Sequence, residues 1–188
     1  MKSILIANQK GGSGKTLLAD SLATAFELDE IKMNFIDLDQ QGGAMHEITV
    51  TEDAVVQIID TPGALQADLK NWMEDSDYLI IPTMMSTRDI PPLQKTLEVY
   101  ELCKDKPPVL VVFNRWNKTN NTKNFIEWFE TAYPEINTAV LCDTTAFNDA
   151  SAKGQSIEQY RPRCNGAKQI REIYSLVKHE LKIKEGYR

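Results

Sequence analysis

The feature that most constrains this chain is a glycine-rich turn between an apolar run and an amphipathic stretch. Ser3–Ala7 is a short apolar run typical of a buried strand, and Lys15–Phe26 carries apolar side chains at helical spacing. Between them the sequence reads Lys10-Gly11-Gly12-Ser13-Gly14-Lys15-Thr16. Glycines let backbone N–H groups turn toward an anion, and a helix N-terminus adds free N–H groups and its dipole. We therefore predict a phosphate-binding loop, with Lys15 bridging two phosphates and Thr16 as a ligand of Mg²⁺.

Short apolar runs alternate with helical patterns along the rest of the chain. This alternation predicts an α/β fold, a mostly parallel twisted sheet with helices on both faces. Further strands are predicted at Asn34–Leu38, Val55–Ile59, Tyr78–Ile81, Val109–Phe113 and Thr138–Leu141. Further helices are predicted at Leu65–Met73, Leu93–Cys103, Thr122–Thr131 and Ala167–Leu181. Between Leu38 and Val55 there is little room for a crossover helix, and only a weak strand near Ile48–Thr51 is indicated.

Length and composition exclude several classes of protein. The 188 residues are expected to form a single domain, 1–188, without an N-terminal helix-turn-helix extension, because the first strand begins at Ser3. No apolar run approaches the ~20 residues of a membrane span, so stable membrane insertion is not expected. The start of the chain lacks the features of a signal peptide, and three cysteines far apart suggest neither disulfides nor zinc. These features favour a cytoplasmic location.

The charge is unevenly distributed. The net charge is −6, which by itself argues against a dedicated nucleic-acid binder. However, residues 161–188 carry a net charge of +5, whereas the preceding 160 residues carry −11. The basic residues of this tail are Arg161, Arg163, Lys168, Arg171, Lys178, Lys182, Lys184 and Arg188. The acidic average therefore hides a basic C-terminal segment.

Acidic residues end the second and third predicted strands. Asp37 and Asp39 are two residues apart, so their side chains are expected to point the same way, at the strand ends where ligands of α/β folds bind. Asp60 ends the third strand and is followed by a turn containing Gly63. We expect Asp60 to hold the shell of the Mg²⁺ and Gly63 to present its N–H to a γ-phosphate. A polar exit from the second strand is the alternative interpretation of Asp37 and Asp39.

The glycine-rich turn departs from the common phosphate-loop motif. Gln9 stands where that motif has its first glycine, and Lys10 adds a second lysine. With Lys10, the turn resembles the deviant Walker A signature of the ParA/MinD family of P-loop ATPases. The resemblance implies that Lys10 acts in trans, on the phosphates bound by the partner in a nucleotide-sandwich homodimer. It also implies that the nucleotide is bound by Gly11, Gly12, Ser13, Gly14, Lys15, Thr16 and Leu17, although Leu17 replaces a usual threonine.

The resemblance assigns two further roles. Asp39 matches the family's catalytic aspartate, which positions the attacking water and contacts the metal shell, although Gln40 replaces the usual proline after it. Asn114 ends the fifth strand and matches the asparagine that reads the adenine edge. The acid that would recognise guanine is absent, because Asn117 occupies its position, so ATP is favoured over GTP. A strand-end asparagine that caps a turn is the alternative interpretation.

The resemblance extends along nearly the whole chain and implies a function. It predicts an ATPase using ATP and Mg²⁺ in plasmid or mobile-element partition, with non-specific DNA bound by the ATP dimer at the nucleoid. A small centromere-binding protein of the ParB type would stimulate its slow hydrolysis. Residues 143–149 carry no basic side chain where chromosomal members bind DNA, so those contacts cannot be transferred.

Other interpretations remain open. The basic C-terminal segment could pack as an ordinary terminal helix, bind DNA, or lie on a membrane surface as in a MinD-like positioning ATPase. The cysteines follow no pattern suited to an iron–sulfur reductase. A metabolic P-loop kinase would not need Lys10.

Overall fold

A computed structural model describes residues 1–39, 43–63 and 68–183. The strands in these residues are β1 (Lys2–Ile6), β2 (Met33–Asp37), β3 (Val56–Asp60), β4 (Tyr78–Thr83), β5 (Val109–Trp116) and β6 (Asn137–Cys142). The helices are α1 (Lys15–Leu28), α2 (Leu69–Glu74), α3 (Ile90–Glu101), α4 (Asn120–Ala132), α5 (Ala146–Ser151), α6 (Ile157–Tyr160) and α7 (Asn165–Leu181). The strands form one parallel sheet in the order β2-β3-β1-β4-β5-β6. The predicted parallel α/β fold is confirmed.

Both faces of the sheet are covered. Along β1, Ile4 and Ile6 belong to the apolar core on one face, and Leu5 belongs to the core on the other. Apolar side chains of α1 and α7 pack on the first face, whereas those of α2, α3 and α4 pack on the second. A strand buried on both faces must be apolar at every position, which explains the continuous runs in the sequence.

The apolar stripe of α7 faces this core. Its members are all buried: Ile170, Ile173, Tyr174, Val177 and Leu181. The Tyr174 ring packs edge-on against Phe26 of α1, with 4.9 Å between ring centroids. The helix α7 is therefore packed on one face of the sheet through its apolar stripe. None of the helices in the described residues is long and apolar enough to cross a membrane.

The connection from β2 to β3 contains no helix within residues 38–39 and 43–55, the parts of it that the structure describes. The predicted weak strand is reduced to a single antiparallel bridge between Thr49 and Phe35 of β2. On α1, Asp20 accepts hydrogen bonds from the backbone N–H groups of Met45 at 3.0 Å and His46 at 3.1 Å. The trimmed connection is thus fixed to α1 by side-chain hydrogen bonds.

Differences from the predicted elements are concentrated at loops and short helices. Neither α5 nor α6 was predicted from the sequence pattern. β5 continues past Asn114 to Trp116, with a shift in its pairing to β6. Several predicted features lie outside the described residues: Gln40, the predicted first turn of α2 at Leu65, and Lys184 and Arg188 of the basic segment.

Candidate nucleotide-binding site

The phosphate loop lies where the order of the sheet reverses. β1 pairs with β3 on one side and β4 on the other, so the carboxyl end of β1 opens into the crevice where α/β folds bind ligands. Gly12 and Gly14 have φ angles of 72° and 102°, which L side chains rarely adopt. Gly14 is the N-cap of α1 and no side chain caps this end. The first N–H groups of α1 therefore stay available to an anion.

Lys15 and Ser13 are buried beneath the loop. Lys15 is 6% exposed, and its Nζ donates a hydrogen bond of 3.3 Å to the carbonyl oxygen of Lys10. Burial lowers the pKa of the Lys15 amine, while Asp60 and Asp39 act in the opposite direction. The Ser13 hydroxyl is buried and has no hydrogen-bond partner among the described residues. Phosphate oxygens would supply acceptors to both groups, so the loop fits a bound phosphate.

Asp60 is the second unsatisfied group of the site. It is fully buried at the end of β3, and neither carboxylate oxygen forms a hydrogen bond within the described part of the chain. Burial raises the pKa of Asp60 to about 6, an effect that the nearby Thr16 hydroxyl partly offsets. A buried carboxylate without partners is unfavourable unless a cation or a proton accompanies it. Asp60 and Thr16 therefore fit the role of holding Mg²⁺ and its water shell.

A protein-only metal cage is absent from the described residues, which bring together no group of three or more His, Cys, Asp or Glu side chains suited to a metal ion. Mg²⁺ commonly binds through one or two carboxylates plus phosphate oxygens and water. The donor set of Thr16, Asp39 and Asp60 matches that mode. These residues would hold the ion only together with a bound nucleotide.

Asp39 lies just beyond β2, near the same loop. Its backbone N–H donates to Asp37 Oδ1 at 2.8 Å, which fixes the turn that leaves the strand. The negative charge of Asp39 acts to raise the pKa of Lys15, so the two side chains lie near each other. The structure thus brings Asp37, Asp39 and Asp60 to the same end of the sheet, as the strand pattern predicts. Gln40, Gln41 and Gly42, which follow Asp39, lie outside the described residues.

Gly63 lies directly against the phosphate loop. A Cβ atom added to Gly63 would be 2.9 Å from the backbone nitrogen of Gly11 and 3.1 Å from its Cα. The preceding turn is anchored because the Thr61 hydroxyl donates to the carbonyl oxygen of Ile6 at 2.9 Å. Only glycine allows this approach, so the turn at Gly63 packs directly on the phosphate loop.

Lys10 contacts an acid that the sequence analysis did not single out. Its Nζ forms an ion pair with Asp89 Oδ1, at the start of α3. The Asp89 side chain is 2% exposed and also accepts from the Ser86 backbone N–H at 3.0 Å, whereas the Lys10 side chain is 35% exposed. The side chain of Lys10 is therefore held at the rim of the site by an acid of its own chain.

Asn114 supports the phosphate loop from below. Its Nδ2 donates to the carbonyl oxygen of Ser13 at 3.0 Å, and its Oδ1 accepts from the Arg115 N–H at 2.8 Å. Both ends of the amide are thus engaged within the chain. The predicted contact with an adenine edge stays a prediction, since it requires one of these bonds to be shared or exchanged.

A cavity of about 240 Å³ opens between the phosphate loop and the chain beyond β6. Asn114 and Leu17 line one side, and the other side is formed by residues that the sequence analysis missed: Asp143, Thr144, Thr145, Phe147 and Asn148. The cavity adjoins the phosphate loop at Gly12 and Gly14, so it is a candidate site for the base of a nucleotide. The polar stretch after the last strand could have indicated these residues, because ligands of α/β folds bind at the carboxyl ends of the strands.

The family model of the CobQ/CobB/MinD/ParA nucleotide binding domain matches residues 4–157 of the chain. The chain belongs to this family. It is therefore a member of a family of nucleotide-binding ATPases that includes ParA and MinD. No curated protein sequence gives a significant match.

Solved structures support the fold of this ParA/MinD-type domain. The McdA–ATP complex from Cyanothece is 18% identical and has a TM-score of 0.77, with 100% of this chain and 99% of that chain covered. A putative plasmid partition protein from Borrelia burgdorferi bound to AMPPNP is 20% identical, with a TM-score of 0.70 and 94% and 99% of the two chains covered. MinD with Mg-ADP from Pyrococcus horikoshii is 16% identical, with a TM-score of 0.70 and coverage of 94% and 95%.

Within this ParA/MinD-type domain, the described residues include every side chain predicted for the phosphate site. Lys15, Thr16, Asp39 and Asp60 lie around the same loop, and Gly63 contacts it. The side chain of Lys10 does not join this group, because it pairs with Asp89 at the edge of the site. Its predicted role on a partner's phosphates requires a second chain.

Proposed function

We propose that this protein is an ATP-dependent dimerising switch ATPase of the ParA type that acts in partition of a plasmid or mobile element. One observation carries the proposal. The phosphate loop contains a second lysine, Lys10, which is a third exposed and lies at the rim instead of over the loop. A chain that acted alone would not need this lysine, whereas a chain that closes on a second copy could extend it to the partner's phosphates.

The residues of the site have distinct roles in this proposal. Lys15 and the N–H groups of the loop hold the phosphates of ATP, and Gly63 presents its N–H to the γ-phosphate. Asp39 orients the attacking water, and Asp60 and Thr16 hold the metal shell. Bound Mg²⁺ neutralises charge on the phosphate oxygens. Lys10 from each chain adds positive charge at the partner's site, so hydrolysis depends on the dimer.

The surface cations of the C-terminal segment support non-specific DNA binding by the dimer. Two of them are engaged, since Arg171 pairs with Glu158 at 2.6 Å and Lys178 pairs with Asp29 at 2.7 Å. Other exposed cations of the segment are Arg161, Arg163, Lys168 and Lys182. Phosphate contacts of this kind are additive and independent of sequence, so a dimer doubles them. We place the DNA surface at these four residues instead of along the whole of α7.

A partner protein is needed to select the DNA site and to stimulate ATP hydrolysis. A dimer that binds DNA through such cations alone recognises no particular site, so a small centromere-binding protein of the ParB type supplies the specificity. The same partner stimulates slow hydrolysis and returns the protein to monomers. The ATP-bound form is then associated with the nucleoid, and the monomer is free in the cytoplasm.

A MinD-like positioning ATPase on a membrane is the alternative function. The structural similarity to MinD proteins favours it as strongly as it favours partition. Against it, the apolar stripe of α7 is buried against the sheet, with Ile170 and Val177 fully inaccessible. Those residues cannot enter a bilayer unless the helix leaves the core.

The test is binding of random-sequence duplex DNA at low salt, with ATP, ADP or no nucleotide. We expect complexes with ATP only, loss of binding in Lys10→Ala, and at least about tenfold weaker binding in the double variant Arg161→Glu/Arg163→Glu. The double variant Lys118→Glu/Lys123→Glu, an equal charge reversal at exposed positions in and just before α4, is the matched control. Equal binding without nucleotide, or ATP-dependent sedimentation with anionic liposomes in place of DNA binding, contradicts partition.

A further inference from the structure

The outer edge of the sheet carries a short strand-like segment beyond β2, here called the edge segment (residues 47–52). Thr49 and Phe35 exchange both backbone hydrogen bonds, each of 3.0 Å. The Thr51 N–H donates to the side-chain oxygen of Asn34 at 2.7 Å. The edge segment therefore lies antiparallel to β2, on the outer side of this edge strand.

The edge segment leaves its own outer side open. In an antiparallel pair, the neighbours of a residue that makes both bonds point their N–H and C=O groups the other way. These neighbours are Ile48 and Val50, whose backbone groups bond to nothing in residues 1–39, 43–63 and 68–183. Both side chains share one face and are 64% and 72% exposed. Residues 48–51, Ile-Thr-Val-Thr, are β-favouring types, and such an open edge is a template for another strand.

The charge around the edge segment decides what kind of strand fits. Residues 33–69 contain seven acids and no lysine or arginine. Glu47 and Glu52 are exposed at the two ends of the segment, and the adjacent Asp53 pairs with Lys32. A second copy of this chain would place the same acids opposite one another, which is unfavourable, whereas a basic strand would meet opposite charges.

We propose that the edge segment is a docking site for an extended, basic segment of a partner protein, which adds a strand to the sheet. The main chain of that segment bonds to Ile48 and Val50, and its alternate apolar side chains cover theirs. The lysines or arginines between them lie on the opposite face of the strand, where they meet Glu47. Directly before the edge segment, Met45 and His46 are bonded to Asp20, so the start of the segment is fixed to α1.

The probe is a short peptide of alternating lysine and valine, added to the full chain without nucleotide, and its counterpart of alternating glutamate and valine. We expect saturable binding of the basic peptide alone. Residue-resolved amide exchange should slow at Ile48 and Val50, whose N–H groups become bonded, and change little at Thr49. Because no nucleotide is present, this outcome is independent of the proposed ATPase cycle.

Two variants test the placement. Glu47→Lys should weaken binding of the basic peptide about fivefold, whereas Glu130→Lys, an equal charge change on the exposed side of α4, should not. Val50→Pro removes an outward N–H without removing a bond within the described chain, and should weaken binding about tenfold while thermal stability is kept. Equal binding of both peptides, unchanged exchange at Ile48 and Val50, or self-association of the chain that Val50→Pro abolishes would overturn the proposal.

Discussion

Lys10 forms an ion pair with Asp89 of its own chain, at the rim of the phosphate site. The carboxylate is held in place because it is buried and also bonded to Ser86. Lys10 can reach a second chain only after it leaves Asp89. The contact therefore competes with dimerisation.

Replacing Asp89 by asparagine should ease that competition. A partly exposed ion pair contributes about 1 kcal/mol or less, so Asp89→Asn should tighten ATP-dependent dimerisation up to about fivefold. Sedimentation velocity over a range of protein concentrations measures the change. Asp53→Asn, which removes the exposed ion pair with Lys32, is the control. An unchanged dimer affinity in Asp89→Asn would show that the contact does not restrain Lys10.

Gly63 should tolerate no side chain. The Cβ of Gly63→Ala would meet the backbone of Gly11 at 2.9 Å, and a backbone neighbour can move only with the whole loop. We expect a loss of stability of about 1–3 kcal/mol and at least about tenfold weaker ATP binding. Gly11→Ala has open space at its Cβ and should keep the thermal midpoint. Equal stability of the two variants would contradict the close packing described.

Asp60→Asn should stabilise the nucleotide-free protein and abolish Mg²⁺-dependent hydrolysis. The pKa of Asp60 is raised from 3.8 to about 6, so the folded state holds a proton more tightly than the unfolded state. The contribution of Asp60 to the free energy of unfolding therefore falls as pH rises from about 4 to about 6, by at most about 3 kcal/mol. Urea unfolding at pH 7.5 should show a gain of about 1–3 kcal/mol for Asp60→Asn. The control is Asp105→Asn, on an exposed loop.

Titration of His46 should make the free energy of unfolding depend on pH in a higher pH range than titration of Asp60. Its Nδ1 lies 2.8 Å from Asp20 Oδ1, and this hydrogen bond raises the pKa of the imidazole above 6.5. The stabilisation is complete below pH 6.5 and is lost as pH rises through the raised pKa of the folded state. We expect a loss of about 1 kcal/mol between pH 6 and 8.5, absent in His46→Gln. His179→Gln, on the exposed face of α7, should keep the wild-type profile, and a pH-independent wild type would refute the contact's role.

Asp39→Ala should separate binding from hydrolysis. Lys15 and the loop N–H groups remain, so ATP binding and dimerisation persist, whereas the attacking water loses its orienting carboxylate. We expect phosphate release to fall at least about 100-fold. Fluorescent-nucleotide binding and phosphate release measured on the same sample make the comparison. Hydrolysis at the wild-type rate would move the catalytic carboxylate to another residue.

Local patterns predicted most of the fold and the phosphate site, because their information lies in consecutive residues. The strand, glycine-rich loop and helix around Lys15 occupy one continuous stretch, and Asp60 ends its own strand. The pairing of Lys10 with Asp89 joins residues 79 positions apart, and that of Asn114 with Ser13 joins residues 101 apart. A periodic sequence pattern cannot predict such contacts, since they depend on which strands become neighbours in the sheet.

One missed helix was readable from its cap. Ser156 accepts from the Gln159 N–H, and the Gln159 side chain accepts from the Ser156 N–H, which is a complete capping box at the start of α6. The helix is only four residues long, so it has no apolar period to detect. The polar stretch at Asp143 also follows a strand end, but its approach to the phosphate loop depends on the position of β6 in the sheet, which no local pattern specifies.

The contact between Asn114 and the phosphate loop has a consequence for how such a site can diverge. A Cβ on Gly14 would lie 2.2 Å from Asn114 Nδ2, so the space of one residue is already filled by the other. A lineage could gain a side chain at position 14 only after position 114 had become smaller, and the left-handed backbone would still oppose it. Among descendants of this chain, a side chain at position 14 should therefore be found only together with a smaller residue at position 114, whereas a smaller residue at 114 can occur beside Gly14.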